Sequence, residues 1–206
     1  MKKYSKIQTI YKRDMSNKGA IIIGDYSLPE FDYLKNNEWV FTEKVDGTNI
    51  RIHWDGEAVK IGGRTDNAQI PTPLYDKLIS IFPPTKFKSA GLETVTLYGE
   101  GYGAKIQKGG GNYIHDGVDF VLFDILIGDW WLKRNDVCDI GMELGVNVVP
   151  ILGVGTLDEA VDMARKGFNS QWGDFVAEGL VLRPAVELKT RSGHRIITKI
   201  KCKDFK

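Results

Sequence analysis

Hydrophobic runs separated by polar and glycine-rich stretches divide this chain into short segments. Runs rich in β-branched and aromatic residues predict strands at EWVFTEKV, NIRIHWDG, AVKIGG, TVTLYGEGYG, EGLVLRP and HRIITKIKCKDF. The nearly continuous apolar run DFVLFDILIG predicts a strand in the core. The Asp-Gly pair in WDGE, residues 54–57, predicts a hairpin turn between two of these strands.

Helical spacing of apolar residues predicts three helices between the strands. The segment TPLYDKLISIF (72–82) precedes a proline pair, RNDVCDIGMELG has Asn135 as its predicted N-cap, and TLDEAVDMARKG carries a capping box from Thr156 to Glu159 and ends at Gly167. The segment KIQKGGGNY predicts a mobile loop. Strands joined by hairpins, with helices inserted between them, predict an α+β fold built mainly on antiparallel sheets.

The amino-acid composition of the chain is that of an ordinary globular protein. The 206 residues are 42% hydrophobic and 27% charged, with a net charge of +1. No apolar run has the length to span a membrane, and the basic N-terminal segment lacks the apolar region of a secretion signal. Two cysteines are too few for a disulfide framework, which favours a reducing compartment. We therefore expect a cytoplasmic protein, or one encoded by a phage and acting in the host cytoplasm, without a membrane partner.

Lys44 in TEKVDGTNIRI is a candidate nucleophile. It ends a hydrophobic run and stands two residues before an Asp-Gly pair, where partial burial is expected. An amine attacks only when it is deprotonated, and nearby cations favour that form. Side chains alternate faces along a strand, so Lys199, Lys201 and Lys203 of the last predicted strand point the same way, where they supply positive charge and bind phosphates. The alternative is a solvated strand face beside an incidental lysine.

Further polar residues follow Lys44 in an order that suggests a nucleotide site. Arg64 after a glycine pair suits a phosphate, Glu100 at a strand end among glycines suits ribose hydroxyls, and Glu178 at a strand start suits a metal ion. Phe123 is either a stacking surface for a purine or a core residue. Cys202, between two lysines, is expected to be a buried residue rather than a reactive thiolate.

Six ordered motifs resemble those of the covalent nucleotidyltransferases, the superfamily of polynucleotide ligases and mRNA capping enzymes. KVDGTN is similar to motif I, GRT to motif Ia, YGEG to motif III, FVLFDI to motif IIIa, EGLVLRP to motif IV and KIKCK to motif V. The GTN after the lysine, YGEGYGAKIQK and IKCK resemble ATP-dependent RNA ligases of the nick-repair type, found in phages and in RNA-editing complexes. Those RNA ligases usually have histidine two residues after the lysine. This chain has Asp46 there, as DNA ligases do.

The resemblance implies an RNA ligase that seals 5′-phosphate to 3′-hydroxyl ends through a lysyl-AMP and an adenylylated nucleic acid. A minimal ATP-dependent DNA ligase is the alternative that Asp46 favours, and a non-catalytic nucleic-acid-binding module is a third. The expected cofactors are ATP and Mg²⁺ or Mn²⁺. The expected partner is nicked or adenylylated RNA, with DNA or hybrid strands still open. We expect a monomer with one nucleotidyltransferase domain over residues 1–206 and no carboxy-terminal clamp or OB domain.

The resemblance also assigns roles to residues. Lys44 is the expected nucleophile, Lys201 and Lys203 act on the α-phosphate and the leaving group, and Lys199 is their neighbour. Glu178 is expected to hold the metal ion, and Arg64 the 5′-phosphate, with Asp46 near the nucleic acid or phosphate. The expected ATP-binding residues are Glu43, Lys44, Asn49, Arg64, Glu100, Phe123, Glu178, Lys201 and Lys203.

Overall fold

The computed structural model describes all 206 residues and places them in two compact units. Unit 1 consists of Met1–Ser5 and Asp46–Val149, and unit 2 of Lys6–Val45 and Pro150–Lys206. Unit 2 is therefore assembled from two distant stretches of chain. The single nucleotidyltransferase domain that the sequence led us to expect stays a prediction.

Twelve strands are distributed over three sheets. In chain order they are β1 (Gln8–Thr9), β2 (Tyr11–Asp14), β3 (Ala20–Tyr26), β4 (Trp39–Glu43), β5 (Thr48–Trp54), β6 (Val59–Gly62), β7 (Val95–Gly103), β8 (Val118–Ile127), β9 (Trp130–Trp131), β10 (Ile151–Gly155), β11 (Gly179–Pro184) and β12 (Thr198–Lys201).

Six helices and one 3₁₀ turn complete the secondary structure. They are α1 (Pro29–Leu34), α2 (Thr72–Ile81), α3 (Pro84–Ser89), α4 (Gly110–Tyr113), α5 (Arg134–Glu143), α6 (Leu157–Lys166) and the 3₁₀ turn Cys202–Phe205. None of the helices combines the length and the apolar character needed to cross a membrane. The predicted α+β class, with mainly antiparallel sheets, is confirmed.

Unit 2 is built on a five-stranded sheet in the order β1-β12-β11-β4-β10 and a separate β2-β3 hairpin. All pairs in the large sheet are antiparallel except β1 with β12. The buried face of α6 contributes to its core together with Trp39 and Leu180. The predicted capping box of this helix is present, because Thr156 Oγ1 accepts from the Glu159 N–H and a Glu159 carboxylate oxygen accepts from the Thr156 N–H at 2.7 Å.

Unit 1 is built on a sheet in the order β6-β5-β7-β8-β9, in which every pair is antiparallel. The predicted hairpin joins β5 to β6. On one face, α2 and α5 pack against β8. The glycines of β7 make this close packing possible, since a Cβ on Gly99 would overlap the Phe120 ring and a Cβ on Gly101 would overlap Leu74.

Three predictions of secondary structure need correction. Helix α5 follows Lys133, which makes no side-chain cap, so Asn135 is not the N-cap. The segment predicted as a mobile loop contains the short helix α4, and its mobility stays a prediction. The last predicted strand ends at Lys201, because the Asp204 carboxylate accepts from the Lys201 N–H and from the Arg13 guanidinium, which turns the chain into the 3₁₀ turn.

Candidate active site

Lys44 is the first residue after β4, and the backbone of the neighbouring strand holds it in place. Its N–H donates to the Gly179 carbonyl at 2.9 Å, which extends the β4-β11 pairing by one residue. Glu178 directly precedes β11, and its carbonyl accepts from the Cys202 N–H at 2.9 Å. A Cβ on Gly179 would overlap the Ile200 carbonyl, so the glycine of the EG pair allows β12 to approach. Three adjacent strands thus end at the same place.

The Glu178 carboxylate lies between two lysine side chains. One oxygen contacts Lys44 Nζ at 2.5 Å and the other contacts Lys201 Nζ at 2.6 Å. The three side chains are 20%, 11% and 24% exposed for Lys44, Glu178 and Lys201, so solvent screens the contacts only in part. Two ammonium groups face one carboxylate, and the cluster therefore keeps an excess positive charge suited to an anionic ligand.

Glu43 has contacts that the sequence did not reveal. It is 1% exposed, and its two oxygens accept from the Ser170 hydroxyl at 2.6 Å and from the Gln171 N–H at 2.8 Å. Burial raises the pKa of this carboxyl, and the two hydrogen bonds oppose the rise. Glu43 therefore fixes the segment that leads from α6 towards Glu178. Its predicted role in ATP binding stays a prediction.

The predicted lysine row is correct for two of its three members. Lys199 and Lys201 are two residues apart in β12 and therefore lie on the same face of the sheet. Lys203 lies in the 3₁₀ turn and is exposed, so strand alternation does not place it on that face. Cys202 is buried as predicted, and burial raises the pKa of its thiol.

In unit 1, Asn49 of β5 and Glu100 of β7 are directly opposite each other in the antiparallel register. They lie on the sheet face away from α2, because the alternating neighbours Ile50 and Gly101 belong to the packed face. The Asn49 Oδ1 is buried and has no hydrogen-bond partner. A buried amide oxygen without a donor is unusual, and a ligand that donates a hydrogen bond would satisfy it.

Phe123 stands at an irregularity of the sheet. The register passes from Gly99 opposite Leu122 to Tyr98 opposite Asp124, so Phe123 is the extra residue of a β-bulge. A bulge changes the direction of a side chain, which explains why Phe123 is half-buried although its predicted strand is a core strand. The Tyr4 ring meets the Phe123 ring edge-on, with centroids 5.0 Å apart. Predicted core packing and predicted base stacking both agree with this position.

The two remaining predicted residues of unit 1 lie in turns. Arg64 is exposed in the turn after β6. The Asp46 N–H donates to the Tyr113 hydroxyl at 3.0 Å, and the Gly47 carbonyl accepts from Gln107 at 3.0 Å. The segment 104–113 is therefore attached to the Asp-Gly turn that follows Lys44.

Comparison with known proteins identifies the family of this chain. The family model of RNA ligase matches residues 37–201, which is most of the chain and includes the residues of the Lys44 cluster. The chain belongs to the RNA ligase family, and the resemblance to covalent nucleotidyltransferases is confirmed.

Solved structures of Naegleria gruberi RNA ligase show the same fold. A mutant with ATP and Mn matches with a TM-score of 0.71 and 19% identity over 98% of this chain and 56% of that one. The ligase with PPi matches with a TM-score of 0.68 and 20% identity over the same shares. A mutant with AMP and Mn matches with a TM-score of 0.71, 18% identity and again 98% and 56% coverage. This chain thus spans about half the length of the ligase it matches.

Proposed function

We propose that this chain carries the adenylyl-transfer centre of an ATP-dependent RNA ligase. The observation that carries the proposal is the Glu178 carboxylate held between Lys44 and Lys201 at the ends of three adjacent strands. A nucleophilic amine, a second ammonium group for a phosphate and a carboxylate for a metal ion are the three groups that phosphoryl transfer to a lysine needs.

In the first transfer, the Lys44 amine attacks the α-phosphorus of ATP. A nitrogen–phosphorus bond forms, the bond between the α-phosphorus and the bridging oxygen breaks, and pyrophosphate leaves. Lys44 must lose its contact with Glu178 and one proton before the attack, and it loses a second proton as the lysyl-AMP forms. Lys201 is the proposed donor to the phosphoryl oxygens, where negative charge increases in the transition state.

A divalent cation fits this cluster as a partner of ATP. No group of three or more histidine, cysteine or carboxylate side chains is arranged to bind a metal. Mg²⁺ is commonly held by one or two carboxylates together with substrate phosphates, and the Glu178 oxygens are ligands of that kind. When bound, the ion supplies positive charge to the phosphates and the leaving group. ATP and Mg²⁺ or Mn²⁺ are therefore the proposed cofactors, and Naegleria ligase mutants were solved with ATP and Mn.

Unit 1 supplies the proposed contacts to the nucleoside and the nucleic acid. Glu100 and Asn49, which are opposite each other on neighbouring strands, are the proposed ligands of the ribose and a phosphate. Phe123 is the proposed stacking partner of adenine. In the later steps, AMP moves from Lys44 to the 5′-phosphate, forming a phosphoanhydride. A 3′-hydroxyl then attacks that 5′-phosphate and expels AMP. Arg64 is the proposed ligand of the 5′-phosphate.

RNA is favoured over DNA as the substrate by the family match. Asp46 was the residue that favoured a DNA ligase. However, the solved Naegleria RNA ligase mutants include replacements of a lysine and of an aspartate two residues after it, the spacing of Lys44 and Asp46. Aspartate at this spacing is thus compatible with an RNA ligase. A DNA ligase remains the second candidate function.

Label transfer tests the nucleophile. With α-labelled ATP and Mg²⁺ the protein should become labelled in an acid-labile bond, and Lys44→Ala should abolish the label, because no other amine occupies the same position for in-line attack. Lys166→Ala, which removes an exposed lysine at the end of α6, is the matched control and should label normally. A labelled Lys44→Ala protein would contradict the proposal.

Sealing of nicked duplexes tests the substrate. The four combinations of RNA and DNA on the two sides of the nick are compared in single turnover. RNA on the 3′-hydroxyl side should be preferred, because that ribose lies nearest the reacting phosphate and its 2′-hydroxyl is available for recognition. A clear preference for an all-DNA nick would assign the chain to DNA sealing and leave the Lys44 chemistry unchanged.

A further inference from the structure

Arg51 is a fully buried cation in unit 1 that has no role in the proposed reaction. It lies in β5 on the same face as Asn49 and is 0% exposed. All three kinds of guanidinium nitrogen donate a hydrogen bond. Nε donates to the Gly63 carbonyl at 2.6 Å, Nη2 to the Asp66 carboxylate at 2.9 Å and Nη1 to the Met1 carbonyl at 3.0 Å.

Two of these three acceptors are close to Arg64 in sequence. Gly63 directly precedes it and Asp66 follows two residues later, so Arg51 contacts the turn on both sides of Arg64. The turn is also closed by a hydrogen bond from the Ala68 N–H to the Thr65 carbonyl at 3.2 Å. A Cβ on Gly63 would lie 2.8 Å from the Ala68 Cβ, so the turn packs closely against itself.

The chemistry of the guanidinium makes this attachment rigid. A guanidinium is planar and cannot be deprotonated in a protein, so its donors point in fixed directions. A buried cation is also costly unless it is fully hydrogen-bonded, which keeps Arg51 in contact with Gly63 and Asp66. The Asp66 side chain is 64% exposed, and the hydrogen bond from Arg51 lowers the pKa of its carboxyl.

We propose that Arg51, acting through Gly63 and Asp66, is a positioning residue that orients Arg64 towards the 5′-phosphate of the nucleic acid. The inference rests on the proposed function, in which Arg64 binds that phosphate. Arg64 itself is exposed, and a free arginine side chain loses conformational entropy when it binds. A fixed backbone on both sides of Arg64 reduces that loss and raises the affinity for the phosphate.

Replacement of Asp66 separates this proposal from simple electrostatics. Asp66→Ala removes a negative charge close to a phosphate site, and Coulomb attraction alone then predicts tighter binding of nucleic acid. The positioning role predicts the opposite, because the turn loses its contact with Arg51. Asp66→Asn keeps an acceptor for Nη2 and should restore part of the affinity.

The assay compares duplexes with a 5′-phosphorylated nick and a 5′-hydroxyl nick by fluorescence anisotropy. In the parent, the phosphate should tighten binding by about tenfold or more, the effect of one charged hydrogen-bonded contact. Asp66→Ala and Arg51→Lys should remove most of this difference. Glu57→Ala, which removes an exposed acid in the same hairpin, is the matched control and should keep the difference.

A double-mutant cycle shows whether the effect passes through Arg64. In an Arg64→Ala background, Asp66→Ala should change the phosphate-dependent affinity no further. The proposal is overturned if Asp66→Ala binds like the Glu57→Ala control. It is also overturned if the effects of Asp66→Ala and Arg64→Ala on the phosphate-dependent affinity are fully additive. Failure of the proposed function is recognised separately, since it would appear as a parent protein that takes up no label from ATP, whereas the binding assay needs no catalysis.

Discussion

Replacement of Glu178 by glutamine should destabilise the protein more than replacement of either lysine in its cluster. Glu178→Gln keeps the shape of the side chain but removes the charge that two ammonium groups share. Lys44→Met or Lys201→Met leaves the carboxylate with one remaining partner. The cluster is thus asymmetric, and its central member should carry most of the stabilisation.

The magnitude follows from the geometry. Both nitrogen atoms contact one carboxylate, so they lie no more than about 7 Å apart, and at an effective dielectric constant of about 20 two like charges at that separation repel by roughly 2 kcal/mol. Glu178→Gln also weakens two charge-assisted hydrogen bonds, and breaking a buried pair by removing one partner typically costs about 3–5 kcal/mol. Since Lys44 and Lys201 are 20% and 24% exposed, solvent reduces this cost, and we expect about 2–3 kcal/mol.

Urea denaturation at neutral pH measures the change in the free energy of unfolding. Glu178→Gln should unfold at a lower midpoint with an unchanged m-value, and adding Lys44→Met should recover part of the loss because the repulsion disappears. High salt should also reduce the difference from the parent. A Glu178→Gln protein as stable as the parent, or one that Lys44→Met destabilises further, would refute the description of the cluster as a shared ion pair.

Two further predictions concern the same unit. Lys201→Ala should slow self-adenylylation by about 10²-fold or more in rapid-quench experiments, because loss of one donor at a transition-state oxygen costs about 2.7–4 kcal/mol, while Lys203→Ala should slow it by more than about tenfold if its predicted role holds. Equal rates for the parent and both variants would show that neither lysine contributes to catalysis. Burial raises the pKa of Glu43, so its folded pKa lies above its unfolded pKa, and its contribution to stability is present at low pH and is lost as the pH rises through the folded value. Glu43→Gln should therefore weaken the fall in unfolding free energy that occurs as the pH rises above about 4, the ordinary range for a glutamate, and an unchanged pH dependence would contradict this assignment.

Local patterns were sufficient for the elements that carry their own signal. The apolar, β-branched and aromatic residues in EWVFTEKV and EGLVLRP predicted β4 and β11, and Thr156 and Glu159 predicted the start of α6, because strand propensity and capping are properties of adjacent residues. The order of the motifs also identified Lys44, Glu178 and Lys201, which the structure brings into contact.

What the sequence did not reveal depends on partners far away in the chain. The end of β12 is decided by Asp204 and Arg13, which are 191 residues apart. The bulge at Phe123 depends on the register between β7 and β8, and one inserted residue is invisible in an apolar run. The burial of Glu43 depends on Ser170, and a charged residue in a strand gives no indication of a partner 127 positions away.

The division of unit 2 into two stretches has a consequence for biosynthesis. Lys44 leaves the ribosome before its two partners, because Glu178 and Lys201 follow 134 and 157 residues later. At about 5–20 residues per second, the interval between Lys44 and Lys201 is roughly 10–30 s. The continuous stretch Asp46–Val149 of unit 1 is synthesised completely during this time, whereas β4 still lacks β11 as its sheet partner. A nascent or prematurely terminated chain therefore contains Lys44 without the Glu178 carboxylate, and the proposed chemistry becomes available only when translation has passed Lys201.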